Sequence, residues 1–377
     1  MIITNVNLVL ETEVVKGSLE IHDGKIVSMS DTTSQVASAY DGENSVLMPG
    51  FIELHTDNLE HYFTPRPKVD WPPFSAMNAH DTQLVGSGIT TVLDAVALGD
   101  FSDEKRKTDL DLFINTVVES QKRNLTRVDH RLHLRCEVPH ANTLKLFERF
   151  VDMPEVQLVS LMDHAPGQRQ FVDIEKYRTY YQGKHNLSDS EMEAYERKQV
   201  ALSNTYSESH RNEICRQCKE RNISTASHDD ATIGHVLESK QLGMMIAEFP
   251  TTVEAAKKSH ELGLKVLMGA PNVVRGGSHS GNVAAHELAS LGVLDILSSD
   301  YYPISLLEGV YKLAADERNS LTLPQAVHLV TKNPAEVLKL DDRGMISEGK
   351  RADLVLARMV DGHPLVSRVW RQGKKVF

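Results

Sequence analysis

Eight short apolar runs, spaced by longer amphipathic stretches, constrain this chain more than any other feature. They read GFIELHTD, ITTVLDAVALGD, RLHLRCEVPH, VQLVSLMDHAPG, ISTASHDDA, MMIAEFPTT, KVLMGAPNVVRGG and DILSSDYYP. Runs that are apolar at consecutive positions suit strands buried on both faces, as in a parallel sheet covered by helices. The intervening DLDLFINTVVESQKRN, TLKLFERFVD and TTVEAAKKSHELG have helical periodicity and supply that cover. Eight strand-then-helix units predict an α/β architecture, a (β/α)8 TIM-type barrel over residues 50–339. The two ends have another texture. Residues 1–49 and 340–377 alternate apolar and polar positions in short pieces broken by turns such as Asp23-Gly24, and together predict a small accessory β-sandwich formed from both termini. The long polar stretch EKYRTYYQGKHNLSDSEMEAYERKQ, between the fourth and fifth runs, is expected to be a helical insertion, with a lid over residues 185–210 as one reading.

The polar groups fall at the ends of these runs. His55 and Asp57 close the first, Glu137 the third, His228 with Asp229 and Asp230 the fifth, Glu248 the sixth and Asp300 the eighth. Side chains at i and i+2 of a strand share a face, so His55 and Asp57 are expected to converge. Barrel active sites lie at the C-terminal ends of the strands, so five strands would aim imidazoles and carboxylates at one mouth. A lone strand-end histidine is commonly a hydrogen-bonded cap, but several carboxylates in one cleft repel unless something neutralises them, and one or two divalent cations would do so.

Composition narrows the partners. The 377 residues carry 41 basic and 52 acidic side chains, a net charge of −11, which argues against nucleic acid or an anionic membrane as partner. MIITNVNLVLETEVV lacks the layout of a signal peptide, and no apolar run approaches the roughly 18 residues of a membrane span. Cys136, Cys215 and Cys218 are too few and odd for a disulfide framework, so a cytoplasmic enzyme is expected. Cys215 and Cys218 form a CxxC inside the charged, helical HRNEICRQCKERN, with no second pair, which favours helix packing over redox or zinc chemistry. Among the other histidines, His61, His80, His130 and His133 are expected in the core or orienting ligands, while His185, His210 and His260 are expected in solvent.

The HTD after the first run, the His of ASHDD, the Asp of LSSDYYP and the closing GMISEGKRADLVL together resemble the amidohydrolase superfamily over essentially the whole chain. LMPGFIELHTDNLEHYFTPRPKVDW, LMDHAPGQRQF and MGAPNVVRGGSHSGNVAAHELA resemble, within it, a branch of phosphonate metabolism in the carbon–phosphorus lyase pathway. The resemblance implies a metal-dependent barrel whose ligands are His55, Asp57, Glu137, His228, Glu248 and Asp300, with Asp300 also shuttling the proton of the attacking water. The superfamily pattern more often has histidine where this chain has Asp57 and Glu248. Zinc is expected first, and carboxylates there make the site harder and more anionic, which admits manganese, iron or magnesium as alternatives. Glu137 best matches the bridging ligand, with Asp163 and His164 of the fourth run as the alternative.

The activity implied is hydrolysis of a ribosyl phosphonate 5-triphosphate at the α-phosphorus, releasing pyrophosphate; the alternative is cleavage of a C–N bond in a cyclic amide or N-acyl substrate. So anionic a sugar triphosphate needs cations, for which Arg66, Lys68, Arg169, Arg275 and His279 are the candidates. His164 joins them, and Gly277 of the glycine-rich loop after the seventh run would let backbone approach phosphate. The oligomeric state stays open, with a homo-oligomer as one possibility.

Overall fold

The computed structural model describes residues 1–99, 104–278 and 281–377. From the N-terminus come strands β1 (Ile2–Val9), β2 (Val14–His22), β3 (Lys25–Ser30), β4 (Tyr40–Asp41) and β5 (Val46–Pro49). Eight further strands follow: β6 (Phe51–Thr56), β7 (Ile89–Leu98), β8 (Asp129–Glu137), β9 (Val156–Met162), β10 (Ser224–His228), β11 (Ile246–Glu248), β12 (Lys265–Gly269) and β13 (Ile296–Ser298). The C-terminus adds β14 (Leu354–Val360), β15 (His363–Arg371) and β16 (Lys374–Lys375). Each of the eight apolar runs thus holds one of β6 to β13. These form one sheet in chain order, with parallel pairing along β6·β7 and along β8·β9·β10·β11·β12. The fold is a (β/α)8 barrel carrying a second sheet from both termini, in the order β16-β15-β14-β5-β1-β2-β3 with β4 beside β1.

By its contacts the chain divides into two units, residues 1–94, 111–131 and 268–377, and residues 95–110 and 132–267. The first unit holds the whole accessory sheet. Its hairpin β2–β3 turns at Asp23 and Gly24, both in left-handed conformation (φ 47° and 76°), as the sequence pair predicts. Ile3, Leu19, Leu47, Leu354 and Trp370 share one apolar cluster, so strands from opposite ends of the chain are buried against each other. Between β5 and β6 the chain passes Gly50, where a Cβ would lie 2.2 Å from Thr90 Oγ1; only glycine permits that approach. In GMISEGKRADLVL, Ile346, Ala352, Leu354 and Leu356 enter that cluster. Just before it, Arg343 bonds Asp129 (2.8 Å) and Thr91 (2.9 Å), tying the motif to β7 and the start of β8. In the same unit β6 and β13 meet at a parallel bridge between Thr56 and Asp300.

The second unit holds β9, β10 and β11. The polar stretch between β9 and β10 is two helices, Ile174–His185 and Asp189–Glu220, the latter opened by a capping box of Ser188 and Glu191. Phe171, Tyr177 and Met192 bury against each other, with Tyr181, Leu187 and Tyr195 packed on them, so the insertion has a core of its own. Cys215 and Cys218 are buried on the long helix as free thiols, and burial pushes the Cys215 thiol up to about 12. That is helix packing, as expected. His210, expected in solvent, is instead buried on the same helix, with Nδ1 3.0 Å from the Val138 carbonyl oxygen. No helix among the described residues is long and apolar enough to cross a membrane.

Candidate metal centre

In the first unit, His55 is buried near the end of β6, while Asp57 lies just past the strand at the start of the helix Asn58–Phe63. The two converge although Asp57 is no longer in the strand: His55 Nε2 is 3.8 Å from Asp57 Oδ1. Asp300 is stitched beside them. Its backbone N–H donates to His55 O (3.1 Å) and its carbonyl accepts from Asp57 N–H (3.2 Å). Asp300 has φ 56°, a left-handed conformation unusual for a residue with a Cβ. Beneath this pair Glu53 is completely buried, and burial pushes its carboxyl up to about 7 against the hydrogen bonds it accepts from Ser299 and His55.

In the second unit the ends of β8, β10 and β11 bring Glu137, His228 and Glu248 to the same level as His164, which follows β9. His164 Nδ1 lies 2.6 Å from Glu137 Oε2, and its backbone N–H donates to Oε1 at 2.9 Å. Burial works to raise the Glu137 carboxyl, but the His164 charge and these bonds outweigh it and hold it at about 2. Burial likewise opposes charge on His164, yet Glu137 and then Asp229 lift it to about 10. Asp229 Oδ2 sits 3.7 Å from His164 Nε2 and 3.5 Å from His228 Nε2. His228 Nδ1 is 3.1 Å from Glu248 Oε2, and His133, bonded to Ser160 at 2.8 Å, stands behind Glu248 at 4.0 Å. Asp229 and Phe249, at the ends of β10 and β11, are both left-handed (φ 57° and 53°), and the Phe249 ring packs edge-on against His228 with centroids 5.4 Å apart.

Other predicted site residues are placed differently. Arg66 and Lys68 lie on an exposed loop after β6, and Arg275 is exposed at the end of the helix Ala270–Arg275, 3.4 Å from the Tyr301 hydroxyl. The Gly277 N–H, expected to face phosphate, instead donates to Asn272 O (2.9 Å) and closes that helix, because Gly276 takes the left-handed turn there. His279 lies outside the described residues. Arg169, also expected at substrate, is buried: its guanidinium pairs with Asp230 and, at 2.8 Å, with Glu238. Burial, then the neighbouring Arg211, lowers its pKa to about 10. The sequence groups Asp229 with His228 and Asp230 as potential ligands at the end of the fifth run, but the ligand set drawn from it leaves Asp229 out. The doubled acid of SHDDA was the available signal, but only the left-handed turn after β10 sends Asp229 to the histidines while Asp230 turns to Arg169.

Comparison with known proteins bears on this arrangement. Residues 243–377 match the amidohydrolase family model. Over 378 aligned residues, and the full length of both chains, the sequence is 61% identical to the α-D-ribose 1-methylphosphonate 5-triphosphate diphosphatase of Escherichia coli strain K12. The chain belongs to this diphosphatase's family, within the amidohydrolases. Solved structures share the fold at low identity. A 5-methylcytosine deaminase from Klebsiella pneumoniae superposes with a TM-score of 0.65 at 15% identity, covering 100% of this chain and 98% of its own. An N-acetylglucosamine-6-phosphate deacetylase from Thermotoga maritima gives 0.61 at 16%, covering 100% and 99%.

Membership of the amidohydrolases implies a divalent metal, and the donors present fit one. His164, His228 and Asp229 offer ligand atoms all within 4.8 Å of one another. Glu137, Asp229 and Glu248 are buried carboxylates around two imidazoles, a mixed nitrogen and oxygen set suited to zinc, manganese or iron.

Proposed function

We propose that this chain hydrolyses α-D-ribose 1-methylphosphonate 5-triphosphate to the 5-phosphate and pyrophosphate with a divalent metal. The observation that carries this reading is the 61% identity, end to end, to a diphosphatase of that substrate. We assign His55, Asp57, Glu137, His228, Glu248 and Asp300 as the metal-holding set, and add His164 and Asp229, whose imidazole and carboxylate lie beside His228. Zinc is placed first among the metals. The accessory sheet is assigned to residues 1–49 and 340–377 and the catalytic barrel to 50–339. The three unpaired cysteines favour a cytoplasmic setting.

A bound divalent ion would supply Lewis acidity and a water more acidic than bulk. Asp300 accepts the proton of the attacking water as its oxygen approaches the α-phosphorus. The bond from that phosphorus to the α,β-bridging oxygen breaks, and its electron pair leaves with pyrophosphate. In-line displacement spreads charge over the phosphoryl oxygens, and the exposed Arg66, Lys68 and Arg275, together with His279, are the groups we assign to the phosphate chain. Arg169 supports the site through Asp230 rather than by touching substrate.

The test is metal content of the purified protein, followed on the same sample by assay of pyrophosphate and phosphate released from the ribosyl phosphonate triphosphate. One or two metal equivalents with pyrophosphate as product is the expected result. Phosphate alone would move the attack to the γ-phosphorus, and no phosphorus product together with hydantoin hydrolysis would replace the reading by C–N cleavage.

A further inference from the structure

We propose that Glu53 is a positioning residue for the reaction, its carboxylate holding together the two strand ends that carry His55 and Asp300. Glu53 lies on β6, two residues before His55, and none of its surface reaches solvent. One carboxylate oxygen accepts the backbone N–H of His55 at 2.7 Å, and the other accepts the backbone N–H of Ser299, next to Asp300, at 2.6 Å. These amides are 244 residues apart in the chain. Among the described residues no lysine or arginine pairs with Glu53, and each of its two oxygens accepts a main-chain N–H.

A buried carboxyl is costly, and an apolar residue would fill this place at less cost if packing were all that mattered. What the carboxylate adds is a rigid bridge with two acceptors about 2.2 Å apart, matching two N–H groups that converge at the seam of β6 and β13. Above it the seam carries the Thr56–Asp300 bridge with its two backbone hydrogen bonds, and a longer one from the Asn58 side-chain amide to Asp300 O (3.5 Å). Losing the clamp therefore frees His55 and Asp300 together. Glutamine cannot replace it, because one amide N–H would face a carboxamide NH2 where an acceptor is needed.

The inference rests on the reading of His55 as a ligand and Asp300 as the base. It is tested with Glu53→Gln and Glu53→Asp in the metal-loaded enzyme. Asn333→Ala serves as control, since it removes a 2.7 Å bond from Asn333 to Asp295 O just before β13. Melting temperature, metal affinity by chelator competition, kcat and KM are read for each. Glu53→Gln should lower kcat by about 100-fold and metal affinity by at least tenfold, with KM little changed. Glu53→Asp, which keeps the charge but cannot span both amides, should recover part of each loss and covers the case in which the glutamine variant does not fold. Asn333→Ala should lower only the melting temperature. Equal melting losses in Glu53→Gln and Asn333→Ala, with kcat and metal affinity untouched in both, would overturn the proposal. If the wild type releases no pyrophosphate, the functional reading fails, and metal affinity alone still decides the role of Glu53.

Discussion

At the scale of single residues, the site is made by backbone conformations that side chains normally avoid. Asp229 and Phe249 turn left-handed directly after their strands, and Asp300 two residues after its own. A residue with a Cβ holds that conformation at a cost of order 1 kcal/mol, and such strain persists where surrounding structure enforces it. Phe249 shows the consequence most clearly, because its ring rests on the imidazole of His228. Replacing it by alanine removes the ring and keeps the strain, whereas glycine removes both. Phe249→Gly is therefore expected to be more stable than Phe249→Ala by about 1 kcal/mol, reversing the usual order, while both lose comparable activity. Denaturant melts and steady-state rates of the pair check this, and an alanine variant as stable as the glycine one would contradict it.

At the scale of elements, two buried polar networks anchor helices to strands. Arg169, Arg211, Asp163, Asp230 and Glu238 link the segment after β9 to the long insertion helix and to the helix Ile233–Gln241. Arg169→Met strands the buried Asp230 carboxylate, so we expect a stability loss of roughly 3–5 kcal/mol with KM nearly constant in the folded fraction. A raised KM with the melting temperature held would instead give Arg169 back to the substrate. The second network joins the helix Pro73–Gly86 to β7 and β8: His80 Nε2 and His130 Nδ1 both lie 2.7 Å from the Asp94 carboxylate, and His130 Nε2 lies 3.2 Å from Asp81. Burial opposes charge on His130, but Asp94 and Asp81 raise it to about 9; burial also opposes charge on Asp94, which the His130 charge holds well below the usual carboxylate range. A histidine raised in the folded state stabilises fully below its unfolded pKa of about 6.5 and loses that contribution as pH rises through 9. The melting temperature should fall by roughly 5 °C across that window, and His130→Gln should flatten the slope there. Scanning calorimetry from pH 6 to 10 on both proteins tests it.

At the scale of the whole molecule, metal and fold are coupled, because the assigned donors come from strands far apart in the chain and their carboxylates repel when no cation is bound. A ligand that binds only the folded state adds about 2.7 kcal/mol when present at 100 times its Kd. Chelation should therefore lower the melting temperature and abolish activity, and restored metal should return both; a chelated protein with unchanged melting and full activity would refute the coupling. The barrel itself was legible in the sequence, because eight doubly buried strands must be apolar at consecutive positions and the turn residues between elements are local signals. That His55, Asp57, Glu137, His228, Glu248 and Asp300 lie at or just past strand ends was legible for the same reason: a strand end is marked by the polar residue that stops the apolar run. The surroundings of Glu53, Asp229, Arg169 and Gly277 were not. Each depends on which groups lie beside it after folding: a backbone N–H from the far end of the chain for Glu53, one left-handed turn for Asp229, the buried Asp230 and half-exposed Glu238 for Arg169 and a helix end for Gly277. Local pattern and burial are written along the chain, so the sequence by itself determined which elements form and where chemistry gathers. Hydrogen-bond partners between distant segments are set only when those segments pack, so the tertiary structure alone decided which of the gathered groups bond to one another and which are tied up elsewhere.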